Sequence, residues 1–63
     1  MNFKPGDLVL VLKQDLDNGL LYRESLTNKI GKVRSVASGR VWINEGHAWG
    51  WIPFKDLELI YEA

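Results

Sequence analysis

Residues 40 to 53, Arg-Val-Trp-Ile-Asn-Glu-Gly-His-Ala-Trp-Gly-Trp-Ile-Pro, constrain the fold of this chain more than any other stretch. They carry all three tryptophans in two alternating runs joined at a glycine, which is the pattern of a β-hairpin. With Glu45-Gly46 as a two-residue turn, Asn44 faces His47 and the remaining pairs follow by counting. Trp42 then lies opposite Trp49, Arg40 opposite Trp51, Ile43 opposite Ala48 and Val41 opposite Gly50. One face of this hairpin is apolar and small. The other is an aromatic ladder with an arginine at its end, a surface suited to docking.

The chain has 63 residues, enough for one domain over 1-63 and no second. A domain of this size buries only about 60% of the surface its unfolded chain exposes, so every core residue counts. Hydrophobic residues make up 46% and charged residues 25%, a balance that belongs to a globular chain and not to a disordered one. The absence of cysteine excludes disulfides and thiolate metal sites, and a reducing cytoplasm is the expected setting, the host's cytoplasm if the chain is viral. No apolar run is long enough to span a bilayer, and Met1 to Pro5 is too short and polar for a signal peptide, so no membrane partner is expected. Eight basic and eight acidic residues cancel, which gives no general attraction to polyanions. The charges are nevertheless segregated: Lys29, Lys32, Arg34 and Arg40 fall between Ser25 and Asn44 with no acid among them.

Taken in order, Lys4-Pro5-Gly6-Asp7 predicts a type II turn, with proline fixing φ at the second position and glycine supplying a positive φ at the third. Leu8 to Lys13 predicts a strand, apolar on both faces, with Val9 and Val11 inward and Leu8, Leu10 and Leu12 in need of a second cover. Residues 14-28 form a long loop or ribbon in which Asp17-Asn18-Gly19 is a hairpin signal, and Leu16, Leu20, Leu21, Tyr22 and Leu26 are the expected cover. Ile30 to Val36 predicts a second core strand; Val33 and Val36 both reach the core only if a bulge lies near Arg34 or Ser35. Ser38-Gly39 turns the chain into the tryptophan hairpin. Pro53 to Asp56 predicts one tight helical turn, and Leu57 to Ile60 a last short strand. Five short strands, glycine turns and a small core predict an all-β fold, a small five-stranded bent barrel with one short 3-10 turn near the C-terminus.

Phe3-Lys4-Pro5-Gly6-Asp7-Leu8-Val9-Leu10-Val11, Ile30-Gly31-Lys32-Val33-Arg34-Ser35-Val36, Val41-Trp42-Ile43, Gly50-Trp51-Ile52-Pro53 and Asp56-Leu57-Glu58-Leu59-Ile60 together resemble the SH3-like barrel superfamily. The likeness is greatest to its KOW-type branch, with a G-D-x-V-x-V opening and a G-x-V-x-x-V second strand. It covers nearly the whole chain apart from residues 14-28. That branch occurs in ribosomal proteins and transcription elongation factors, and small standalone domains of the same pattern occur in phages and bacteria. The resemblance implies a binding module more than any particular ligand. Signalling SH3 domains continue after the G-W-x-P segment with Ser-Asn-Tyr, whereas this chain has Phe54-Lys55-Asp56, so the tyrosine of a polyproline groove is missing.

Catalysis has little support in the residues. The one histidine, His47, stands beside a turn, and neither a nucleophile triad nor a phosphate-binding glycine loop can be assembled. Asp15 to Gly19 matches a calcium loop poorly, since Leu16 offers no oxygen ligand and Gln14 and Ser25 stand where an aspartate and a bidentate glutamate are needed. No catalytic residue, metal or cofactor is therefore expected. The residues point to a protein-interaction module or small regulator that docks through Arg40, Trp42, Trp49, Trp51, Tyr22 and Phe54. The alternative is a single-stranded RNA or DNA binder, in which the indoles stack on bases while Lys29, Lys32, Arg34 and Arg40 hold phosphates. Self-association through exposed aromatic side chains is also left open.

Overall fold

The computed structural model describes residues 2–15 and 23–63. Among these residues it is all-β: five antiparallel strands form one sheet, and a single 3-10 turn is the only helical element. The strands are β1 (Leu8–Val11), β2 (Ile30–Ala37), β3 (Arg40–Glu45), β4 (Ala48–Pro53) and β5 (Leu57–Tyr61), with the 3-10 turn at Phe54–Asp56. Their order across the sheet is β4-β3-β2-β1-β5. β4 and β5 are its two edges and do not pair with each other, so the sheet is not a closed barrel. The strands lie where the apolar alternation and the glycine turns put them. The proposed turn around Asp17-Asn18-Gly19 and the packing of Leu16, Leu20, Leu21 and Tyr22 lie outside the described residues.

Among the described residues one sheet has no second layer, and such a sheet buries an apolar face by bending over it. The buried side chains come from the inner face of all five strands: Val9 and Val11, Val33, Val41 and Ile43, Ala48 and Ile52, and Leu57. Phe3 and Leu26 close the open sides of this core, and Phe54 and Leu59 pack against it. Close approach is required at Gly31, where a Cβ would stand 2.6 Å from Cγ2 of Ile43. The expected bulge in β2 is present: Val33 pairs with Ile43 but Ser35 pairs with Trp42, leaving Arg34 as the extra residue. It returns Val36 to the side of Val41, although Val36 sits at the sheet's rim and remains 39% exposed. A second irregularity lies where β5 runs beside Leu8 and Val9.

The opening turn is as predicted, with Gly6 at φ +96° and the Asp7 N–H donating to the Lys4 carbonyl at 3.2 Å. Asp7 then has a structural task. Its buried carboxylate accepts the backbone N–H of Ala63 (2.9 Å) and of Lys4 (3.0 Å), with the Lys4 ammonium at 3.4 Å. The Ala63 hydrogen bond, then those of Lys4, hold its carboxyl below the ordinary carboxylate range against the opposing effect of burial.

β1 departs from its expectation. Val9 and Val11 are fully buried, but Leu12 is 47% exposed and Leu8 and Leu10 are half-buried. The strand ends at Val11; beyond it Leu12 donates to the Asp56 carbonyl at the end of the 3-10 turn and Gln14 to the Thr27 hydroxyl. It is therefore not covered on both faces by described residues. Leu26 does not cover the outer side of β1. It is fully buried in the core, in a turn closed by the Lys29 N–H on the Leu26 carbonyl, with Asn28 at φ +64°.

Candidate aromatic docking face

The tryptophan hairpin forms with its pairing moved by one residue in each strand. Its turn is Gly46-His47, with Glu45 opposite Ala48. Gly46 has φ +72°, and His47 is not in the positive-φ region. A Glu45-Gly46 turn of the I′ kind would have placed glutamate at positive φ; moving the turn lets glycine alone take it, as in a II′ turn. The pairs become Arg40 with Pro53, Val41 with Ile52, Trp42 with Trp51, Ile43 with Gly50 and Asn44 with Trp49. Because both strands move by one, each residue keeps its face. Val41, Ile43, Ala48 and Ile52 point into the core, while Arg40, Trp42, Trp49 and Trp51 share the outer face.

On that face Trp42 and Trp51 are in contact, with ring centroids 5.6 Å apart and planes tilted by 58°. The Arg40 guanidinium lies 4.7 Å from the Trp51 ring centroid and the Arg23 guanidinium 4.9 Å from that of Trp49. Trp51 is 41% exposed, and Trp42 and Trp49 are half-buried. The row is thus arginine, two touching indoles, a third indole and a second arginine. Cations over indole faces are stabilised by the ring quadrupole, by about 0.5 to 1 kcal/mol each at exposed sites. Ser35 and the exposed Arg34 of the bulge adjoin Trp42 on the β2 side.

Arg23 and Gln14 are parts of the site that sequence reasoning missed. Both donate to the Trp49 carbonyl, Gln14 through Nε2 at 2.9 Å and Arg23 through Nε at 3.1 Å and through a second guanidinium nitrogen. The Gln14 side-chain oxygen in turn accepts the Leu26 N–H at 2.7 Å. Beside them the Glu24 N–H donates to the His47 carbonyl, making a short parallel bridge to Ala48. The signal was Gly50: a glycine inside a strand marks a close approach. Here the space of its missing Cβ is taken by the ends of Arg23 and Gln14, both 2.5 Å from that position.

The other expected site residues are dispersed. Phe54 meets Phe3 in a tilted contact, ring centroids 5.1 Å apart, and packs against the core. Tyr22 lies outside the described residues. Lys29 and Lys32 are exposed on β2 or just before it. His47 is exposed in the hairpin turn. A notch of about 260 Å³ adjoins Trp51, lined by Lys13, Asp15, Pro53, Lys55 and Asp56 among others. Its two lysines and two aspartates cancel, so it offers no preference for an anion. Among the described residues no group of acidic and histidine side chains is placed to hold a metal, and no helix is long and apolar enough to cross a membrane. The chain matches no family model, no curated protein and no solved structure.

Proposed function

We propose that this chain is a non-catalytic binding module of the SH3-like, KOW-type kind that docks a protein partner through Arg40, Trp42, Trp49 and Trp51, with Arg23 as a further member of the face. One observation carries the reading: three indoles and two guanidinium groups lie in a row on the outer side of β3 and β4, with Trp51 41% open to solvent. Core packing does not require this row, since the inner residues of the same strands already fill the core. Tryptophan and arginine are the residues that most often dominate protein interfaces. The formal net charge of zero suits a protein partner better than a polyanion. Such a module would act in the cytoplasm as a small regulator of a larger assembly.

A second reading, stacking on single-stranded nucleic acid, is favoured by the exposed Arg34 at the bulge beside Trp42 and by Arg40 at the end of the row. Tryptophan fluorescence during titration with single-stranded RNA and DNA at low and moderate salt separates the two. No response at low salt removes the nucleic-acid reading, whereas quenching that fades steeply with salt supports it. Capture from cell lysate by wild type and by Trp51→Ala then tests the face itself. A partner held by wild type and lost by the variant is the expected result; one held equally by both would move the interface elsewhere.

A further inference from the structure

The outer face of the other half of the sheet is apolar where an antiparallel sheet ordinarily turns polar side chains to water. Cross-strand pairing arranges it as two rows of three. Glu58, Leu10 and Ile30 form one row, and Tyr61, Leu8 and Lys32 the next. Ile30 is 57% exposed and Tyr61 65%, Leu8 and Leu10 are half-buried, and Leu12 and Ile60 extend the patch at 47% and 49%. Glu58 and Lys32 occupy opposite corners, both are exposed, and neither makes an ion pair among the described residues.

This layout is self-complementary. Consider a two-fold axis in the plane of contact, running along the perpendicular bisector of the line from Glu58 to Lys32. It sets Glu58 of one copy against Lys32 of the second and repeats the contact in reverse, which is the condition for an isologous interface. Leu8 and Leu10 then pack across one another at the centre, while Ile30 and Tyr61 lie near their own counterparts on the axis. The strands of the two sheets cross steeply, one of the two preferred geometries of sheet packing. We infer that this face, Leu8, Leu10, Ile30, Lys32, Glu58 and Tyr61, pairs with the same face of a second copy of the chain. It is small against the roughly 800 Å² per partner of a standard interface, so the dimer forms in a concentration-dependent way. The aromatic row lies on β3 and β4, outside the contact, and each dimer presents it twice.

Sedimentation equilibrium of the full chain from low micromolar to millimolar concentration tests the inference. Wild type should pass from monomer to dimer, and Lys32→Glu or Glu58→Lys alone should weaken dimerisation by about tenfold or more, because each places two like-charge contacts in the homodimer. An equimolar mixture of the two variants should regain the wild-type constant, because in the mixed dimer both contacts are again between opposite charges. Ile30→Asp, a change at an exposed position, should abolish the dimer with the circular dichroism spectrum retained, and serves if either charge variant fails to fold. Wild type that stays monomeric throughout overturns the inference. So does a dimer that Ile30→Asp leaves intact or Trp51→Ala alone removes, or single charge variants whose mixture regains nothing. Loss of the dimer in Trp51→Ala would make the aromatic row itself the self-association face; the other outcomes leave partner capture by that row untouched, and it is read separately with Trp51→Ala in lysate.

Discussion

At the scale of single residues, Asp7 shows how much one side chain can hold in a small domain. A buried carboxylate accepting two backbone N–H groups is stabilised in its charged form, so its folded value lies below the ordinary 3.8. A lowered folded value contributes stability that is present above the unfolded value and lost as pH falls through the folded one. Urea denaturation of wild type and Asp7→Asn should therefore give a clear difference in stability at neutral pH that closes as the pH falls below about 3.8. A difference that persists unchanged into strong acid would show that the side chain acts through shape alone. The Gly-Asp pair in the opening turn was legible as a turn signal. The carboxylate's role was not, because its partner Ala63 is 56 positions away and no local pattern couples the two.

At the scale of elements, the β4 edge is sealed by side chains where the β5 edge has none doing so among the described residues. An open edge is a template for unwanted pairing, and Gln14, Arg23 and Glu24 together occupy the carbonyls of His47 and Trp49. Gly50 makes the approach feasible, at φ +152° and with no Cβ in the way. Gly50→Ala should cost about 2 kcal/mol by thermal or urea unfolding, from strain at that φ and from the displaced Arg23. Native-state hydrogen exchange should show faster exchange of the Glu24 N–H than in wild type, and unchanged protection at Val9 and Val11. Alternation and turn chemistry predicted the strands, the β2 bulge and the 3-10 turn. The hairpin register was missed by one residue per strand because two neighbouring positions could each supply the turn. Period-two symmetry left the facing of every indole intact despite that miss, so the aromatic row was legible and its partners across the strands were not. Arg23 entered from a segment whose apolar pattern said nothing about where its charged neighbours would reach.

At the scale of the whole molecule, the sheet divides its outer surface into two halves of different chemistry around one shared core. The β3–β4 half carries indoles and guanidinium groups; the β5–β1–β2 half carries aliphatic side chains and Tyr61, with Glu58 and Lys32 at opposite corners. A chain of 63 residues has little surface to spare, and among the described residues both outer halves of the single sheet keep exposed side chains. The Asp7 carboxylate has a further consequence. By gripping Lys4 and Ala63 at once it brings the first and last turns of the chain within a few bonds of each other, and the Ala63 methyl lies 3.0 Å from where a Gly6 Cβ would stand. Joining Asn2 to Ala63 through a short glycine linker and opening the chain at Ser38-Gly39 should give a circular permutant with the wild-type circular dichroism spectrum and a cooperative melt. Such a permutant would show that the fold depends on which strands are neighbours in the sheet and not on the order in which they are synthesised.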